Sequence, residues 1–127
     1  MIVITGGTKG IGRAIAEVFA KEGFDVATCG RNKEDLKQFE EDIKAVGVNA
    51  YTYQADLSDK AQTNEFISYI QGLHQPVQVL VNNTGVFIPG QVHAEEEGAL
   101  EQMIETNLYS AYRVTSCLLY TSDAADD

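Results

Sequence analysis

A short apolar run, Ile2-Val3-Ile4, enters the segment Thr5-Gly6-Gly7-Thr8-Lys9-Gly10-Ile11-Gly12, and helical spacing begins almost at once. This strand–glycine turn–helix succession constrains the chain more than any other feature. Each glycine has a physical task available to it. One lets the chain turn tightly off the strand, one admits a pyrophosphate close to the backbone, and one lets helix and strand pack together. The helix start behind the turn offers free N–H groups and partial positive charge, which suit phosphate. A glycine cluster alone is weak support, because loops collect glycine; its meaning depends on the elements around it.

Those elements alternate along the chain. Ile11, Ile15, Val18 and Phe19 recur at helical spacing, and Gly23 stands where that helix would stop. Val26 to Cys29 reads as a second strand. Leu36, Phe39, Ile43 and Val46 mark a second helix closed by Gly47, and Asn49 to Tyr53 a third strand. Phe66, Ile67, Ile70 and Leu73 mark a third helix, with Gly72 and Pro76 near its end. Val77 to Val81 reads as an apolar strand of the kind buried on both faces of a parallel sheet. Leu100, Met103, Ile104, Leu108, Ala111 and Val114 give a fourth helix. Such alternation predicts an α/β fold, a Rossmann-type doubly wound parallel sheet, here truncated after roughly four strands and four helices. Glu95-Glu96-Glu97 reads as a solvated helix start, and His74 and His93 as isolated, exposed histidines.

The chain has 127 residues, 44% of them hydrophobic, with nine lysines and arginines against nineteen acids. A net charge of −10 argues against nucleic acid as a partner. No apolar stretch approaches the roughly 20 residues that span a bilayer, and no signal peptide precedes the first strand, so a cytoplasmic protein without a membrane partner is expected. Cys29 and Cys117 have neither metal-ligand spacing nor a disulfide framework, and no metal site is expected. The last eleven residues, Cys117 to Asp127, match residue for residue a translation of a transposase adapter used in sequencing libraries. Residues 1–116 are therefore expected to be a partial nucleotide-binding domain and 117–127 a non-native tail, with Ser116 itself in doubt.

The spacing Thr-Gly-x-x-x-Gly-x-Gly resembles the nucleotide-binding signature of the short-chain dehydrogenase/reductase family, and later motifs agree with it. Asp56-Leu57 after the third strand resembles the family's Asp-hydrophobic pair. Asn82-Asn83-Thr84-Gly85 after the fourth resembles its Asn-Asn-Ala-Gly motif, with Thr84 in place of alanine. The resemblance covers residues 1–116. It implies cofactor contacts from Gly6, Thr8, Lys9, Gly10, Ile11, Gly12, Asp56, Leu57, Asn83, Thr84 and Gly85. Asp56 could equally cap the helix starting near Ser58 or Asp59.

At the end of the second strand stand Cys29-Gly30-Arg31-Asn32, with no acid until Glu34. An acid there would bind the adenosine ribose diol. Arg31 instead can pair with a 2′-phosphate and stack on adenine, and Lys9 adds a nearby charge, which places NADP(H) ahead of NAD(H). Asn107, at an inward-facing helical position, needs its amide bonded. The resemblance implies that it acts in catalysis by holding a water that connects a catalytic lysine to solvent. The family's serine and Tyr-x-x-x-Lys are absent from this chain, and Tyr120 is followed four residues later by Ala124.

The expected function is NADP(H)-dependent oxidoreduction of a small-molecule carbonyl/alcohol pair, with 3-oxoacyl-carrier-protein reductases the nearest branch. The chain would be a catalytically incomplete part of an enzyme that, like its relatives, is a homo-oligomer, tetrameric or dimeric. The alternative is a non-catalytic NADP(H)-binding sensor, which would lack Tyr-x-x-x-Lys at full length.

Overall fold

The computed structural model describes residues 1–85, 90 and 96–126, with side chains described as far as Leu118. The elements run in the order β1 (Ile2–Thr5), α1 (Gly10–Lys21), β2 (Val26–Gly30), α2 (Lys33–Val46), β3 (Ala50–Gln54) and α3 (Lys60–Gly72). Then come β4 (Val79–Val81), α4 (Ala99–Ile104), a π-helical turn (Glu105–Tyr109) and α5 (Ser110–Asp126). The strands form one parallel sheet in the order β3-β2-β1-β4. The chain winds outward from β1 to β3, then returns across the sheet to place β4 on the other side of β1. That reversal opens a crevice at the carboxyl ends of β1 and β4.

Side chains of a strand alternate between faces, and β1 shows the consequence. Ile2 and Ile4 join Ala16, Ala20, Phe39 and Ile43 on the face covered by α1 and α2. Val3 joins Phe66, Ile67, Ile70, Val114 and Leu118 on the face covered by α3 and α5. Both faces of the central strands are therefore dry, as a parallel sheet requires.

Three details depart from the periodicity. On α1 the buried residues are Gly12, Ala16 and Ala20, while Ile11 and Val18 are 75% and 61% exposed. The small residues bring the helix axis close to the sheet, and the larger ones are displaced to the flank. The fourth strand spans only Val79–Val81, and its three residues are half-buried, since exposed Gln78 interrupts the apolar run and β4 pairs with β1 alone. The expectation of burial on both faces fails there because β4 is the sheet's edge.

The fourth helix is broken by the π-turn. An i→i+5 turn inserts an extra residue and rotates the helix beyond it, so one 3.6-residue pattern cannot span it. The buried stripe is Thr106, Ser110, Val114 and Leu118, whereas Leu100 and Leu108 are 55% and 60% exposed. Glu105 and Arg113 pair across the turn, and Arg113 lies 5.7 Å over the Tyr109 ring. Ahead of α4, Glu96 and Glu97 are exposed; Glu95 lies outside the described residues, as does His93, while His74 is exposed as expected.

Candidate functional site

Every strand ends at the same edge, and the loops leaving those ends surround a cavity of about 730 Å³. Its walls come from the turn after β1 (Gly6, Thr8, Lys9), the end of β2 (Cys29 to Asn32) and Asp35 of α2. The loop after β3 (Ala55 to Ser58), the loop after β4 (Asn83 to Gly85), and Gln102 and Thr106 complete them.

Two buried threonine hydroxyls hold the glycine turn in place. Thr28 Oγ1 accepts from the Gly7 N–H at 2.8 Å and donates to the Ile4 carbonyl at 2.6 Å. Thr5 Oγ1 accepts from the backbone N–H groups of Asn83 (3.0 Å) and Thr84 (3.1 Å), tying the loop after β4 to the end of β1. The Asn83 amide donates to the Gly6 carbonyl at 3.1 Å, and that of Asn82 to Thr115 Oγ1 at 2.9 Å on α5. The turn is closely packed. A Cβ on Gly12 would stand 2.5 Å from Asn83 Nδ2 and 2.9 Å from the Gly6 carbonyl, and one on Gly6 would stand 2.8 Å from Thr84 Oγ1. Gly6 and Gly10 also adopt φ of +64° and +60°, which side chains disfavour.

The helix ends differ in a way that matters. Asn32 caps α2 by accepting from the Asp35 N–H at 3.0 Å, and Asp59 caps α3 by accepting from the Ala61 N–H at 2.9 Å. The start of α1, beside the cavity, has no side-chain cap. Its first N–H groups and the positive end of its dipole face outward for an anion.

Ten of the residues singled out from sequence line the cavity: Gly6, Thr8, Lys9, Arg31, Asn32, Asp56, Leu57, Asn83, Thr84 and Gly85. Gly10, Ile11 and Gly12 lie behind the wall, in the first turn of α1, with Ile11 pointing to solvent. Asp56 does not cap α3. Its Oδ1 accepts from the Ser58 N–H (2.9 Å) and hydroxyl (2.7 Å), while its own N–H donates to Gln62 Oε1. Asn107 is not inward-facing either. The π-turn gives the buried position to Thr106 and leaves Asn107 exposed, with Oδ1 3.2 Å from where a Gly85 Cβ would be. Arg31 is exposed at the cavity's edge without an ion pair among the described residues, and Lys9 pairs with Asp35 at 3.0 Å.

Sequence reasoning passed over Thr5, Thr28, Asp35, Gln102 and Thr106. The available signal was a hydroxyl residue within an otherwise apolar strand, as at Thr5 and Thr28, where a buried O–H needs a partner. Burial pushes the Cys29 thiol up to about 12, so it offers no nucleophile near neutral pH. Among the described residues no His/Cys/Asp/Glu group could hold a metal, and no helix is long and apolar enough to cross a membrane.

A cavity at the switch point of a doubly wound sheet, beside the turn that leads into an uncapped helix, is where this fold takes nucleotides. Comparison with known proteins agrees. The chain is 34% identical over 116 residues to 2,3-dihydro-2,3-dihydroxybenzoate dehydrogenase of Bacillus subtilis, covering 89% of this chain and 44% of that enzyme. It is 32% identical over 111 residues to the 3-oxoacyl-[acyl-carrier-protein] reductase FabG of Staphylococcus aureus, covering 87% of this chain and 45% of that protein. The chain thus spans under half the length of these two relatives. A metagenomic short-chain oxidoreductase solved in complex with NADP superposes with a TM-score of 0.89 at 31% identity, over 98% of this chain and 57% of that one. The model of the short chain dehydrogenase family matches residues 1–124, and the chain belongs to that family of nicotinamide-cofactor oxidoreductases.

Proposed function

We propose that this chain supplies the cofactor-binding part of an NADP(H)-dependent oxidoreductase acting on a carbonyl/alcohol pair. The observation that carries the reading is the cavity itself, bordered by the turn that leads into the uncapped α1 and lined by Lys9 and Arg31, with no acid at the end of β2. The residues fit a dinucleotide. Gly6 and Gly12 stand where any Cβ would collide, so the turn keeps backbone, not side chains, at the phosphate position. The first turn of α1, with Thr8 and Gly10 to Gly12, would receive the pyrophosphate. Asp56 and Leu57 would hold the adenine, with the second carboxylate oxygen left for its amino group. Arg31, Lys9 and Asn32 would take the 2′-phosphate. Asn83, Thr84 and Gly85 would line the path to the nicotinamide.

Bound NADPH supplies hydride. This chain's residues would orient it, and Asn107, whose Oδ1 lies 3.2 Å from where a Gly85 Cβ would stand, would hold a water nearby. The substrate belongs to the carbonyl/alcohol class, with a 3-oxoacyl thioester the first to test because FabG proteins are among the relatives. The division of the chain at Ser116 belongs to the same proposal. Nucleotide reads across codons 114–121 test it, and uninterrupted genomic sequence through Leu118 and Leu119 would remove the adapter origin.

The test is equilibrium binding of NADP⁺ and NAD⁺ to the chain and to its Arg31→Asp variant. Tighter NADP⁺ binding is expected, with a loss of roughly tenfold, about 1.4 kcal/mol, in the variant while NAD⁺ binding is kept. Equal affinities in the parent chain would overturn the NADP(H) assignment.

A further inference from the structure

We propose that Asp35 sets how strongly this site discriminates between a 2′-phosphorylated cofactor and its unphosphorylated counterpart, by holding a like charge beside the phosphate position. The inference rests on the NADP(H) reading above. Sequence order places no acid at the end of β2, but the fold returns one. The first turn of α2 brings Asp35 to the cavity wall beside Arg31 and Asn32, with Oδ2 3.0 Å from Lys9 Nζ. The carboxylate thus engages a donor, the Lys9 ammonium, that a 2′-phosphate would also use.

Asp35 is fixed there by its backbone. Its N–H is the one capped by Asn32 Oδ1, and its side chain is only 33% exposed while that of Lys9 is 77% exposed. When a phosphate arrives, the long lysine can swing to it, and breaking an exposed ion pair costs little. The aspartate, on a short stem held by the helix start, cannot withdraw equally far. A phosphate seated between Lys9 and Arg31 therefore keeps a like charge a few ångströms away, which weakens its binding. A ribose with a free 2′-hydroxyl brings no such charge, and its O–H can donate to the same carboxylate. Both effects act in one direction. Asp35 lowers affinity for NADP(H) and raises it for NAD(H), holding the site nearer to dual use than Arg31 and Lys9 alone would set it.

The experiment measures dissociation constants of NADP⁺ and NAD⁺ for the parent chain and for Asp35→Asn, Asp35→Gln, Lys9→Met, Lys9→Met/Asp35→Asn and Arg31→Asp. Circular dichroism melts identify the variants that fold. Because the Asn32 cap uses the backbone of residue 35, both neutral substitutions should keep α2, and one folded variant suffices. The NADP⁺-to-NAD⁺ affinity ratio should rise about tenfold on neutralising Asp35, as expected for one like charge at short range in a partly solvated site. In the Lys9→Met background the gain should persist, because the repulsion acts on the phosphate directly. An unchanged or reduced ratio in the neutral variant, with Arg31→Asp still collapsing it, overturns the role of Asp35 and leaves the cofactor reading intact. Loss of the gain when Lys9 is absent overturns the direct repulsion. A ratio indifferent to Arg31→Asp and Lys9→Met overturns the cofactor reading and this inference with it.

Discussion

Gly12 is the residue at which the site tolerates least. It lies where α1, the turn after β1 and the loop after β4 meet, and a methyl group there would press on Asn83 Nδ2 and the Gly6 carbonyl at once. Gly12→Ala should therefore break the 3.1 Å bond between these two groups, weaken dinucleotide binding by at least roughly tenfold and cost about 1–3 kcal/mol of stability. Titration of NADP⁺ and a denaturant melt check both parts. Cys29 gives a pH prediction. Its thiol is raised from 9.0 to about 12 by burial, so the folded state holds a proton that the unfolded chain releases earlier. Its contribution is intact below pH 9.0 and is lost as pH climbs toward about 12. Melts across that alkaline window should fall less steeply for Cys29→Ala than for the parent chain. Thr106 is the buried hydroxyl without a hydrogen-bond partner among the described residues. Thr106→Val, nearly the same shape, should leave the melting temperature unchanged or raise it.

At the scale of elements, caps and ion pairs explain where helices begin and how they respond to acid. Asn32→Ala removes the α2 cap and should cost about 1 kcal/mol, seen as a lower melting temperature. The Asp42 carboxyl is held below its usual 3.8 by Arg13 and Gln38, and that of Glu40 below 4.5 by Lys44 and Thr52. The Asp59 carboxyl is held below 3.8 by Gln62 and the α3 N–H groups. These groups are depressed in the fold, so their contribution is present above 3.8–4.5 and disappears as pH falls through the lower folded values. Thermal melts should be flat near neutrality and decline below about pH 4, and Arg13→Met should flatten the part due to Asp42. A decline that begins above pH 6 would count against this assignment.

At the scale of the molecule, the loops at the strand ends line one cavity, and among the described residues no tyrosine is followed four positions later by lysine. Tyr109 has Arg113 at the spacing where the family has lysine, but Arg113 pairs with Glu105 and lies over the ring rather than beside the hydroxyl. A positioned general acid is worth roughly 10²–10⁴-fold in rate. The chain alone should therefore oxidise NADPH with a 3-oxoacyl thioester no faster than the uncatalysed reaction, followed by absorbance. Turnover on the order of one per second would place an active site that the geometry does not. Leu100, Leu108, Tyr109 and Tyr112 are exposed, and among the described residues β4 pairs with β1 alone, so both an apolar surface and a strand edge are available for association. Light scattering should show association rising with concentration, reduced by Leu108→Glu.

Much of this was legible in one dimension, because strand and helix periodicities and glycine turns are local properties. The order of elements, the parallel sheet and ten cavity-lining residues came from the strand–turn–helix succession and the motifs at strand ends. Periodicity failed where packing decided. Close helix–sheet approach chose Gly12, Ala16 and Ala20 over Ile11 and Val18, and the π-turn moved Asn107 outward and Thr106 inward. The threonine clasps and the Lys9–Asp35 pair join residues on different elements, 21 to 79 positions apart for the clasps. Local spacing cannot express such distances. The sequence by itself determined which elements form and which end of the sheet carries the cavity. Only the tertiary structure decided which side chains meet there, because that depends on how closely independent elements pack and what charge each brings to the shared edge.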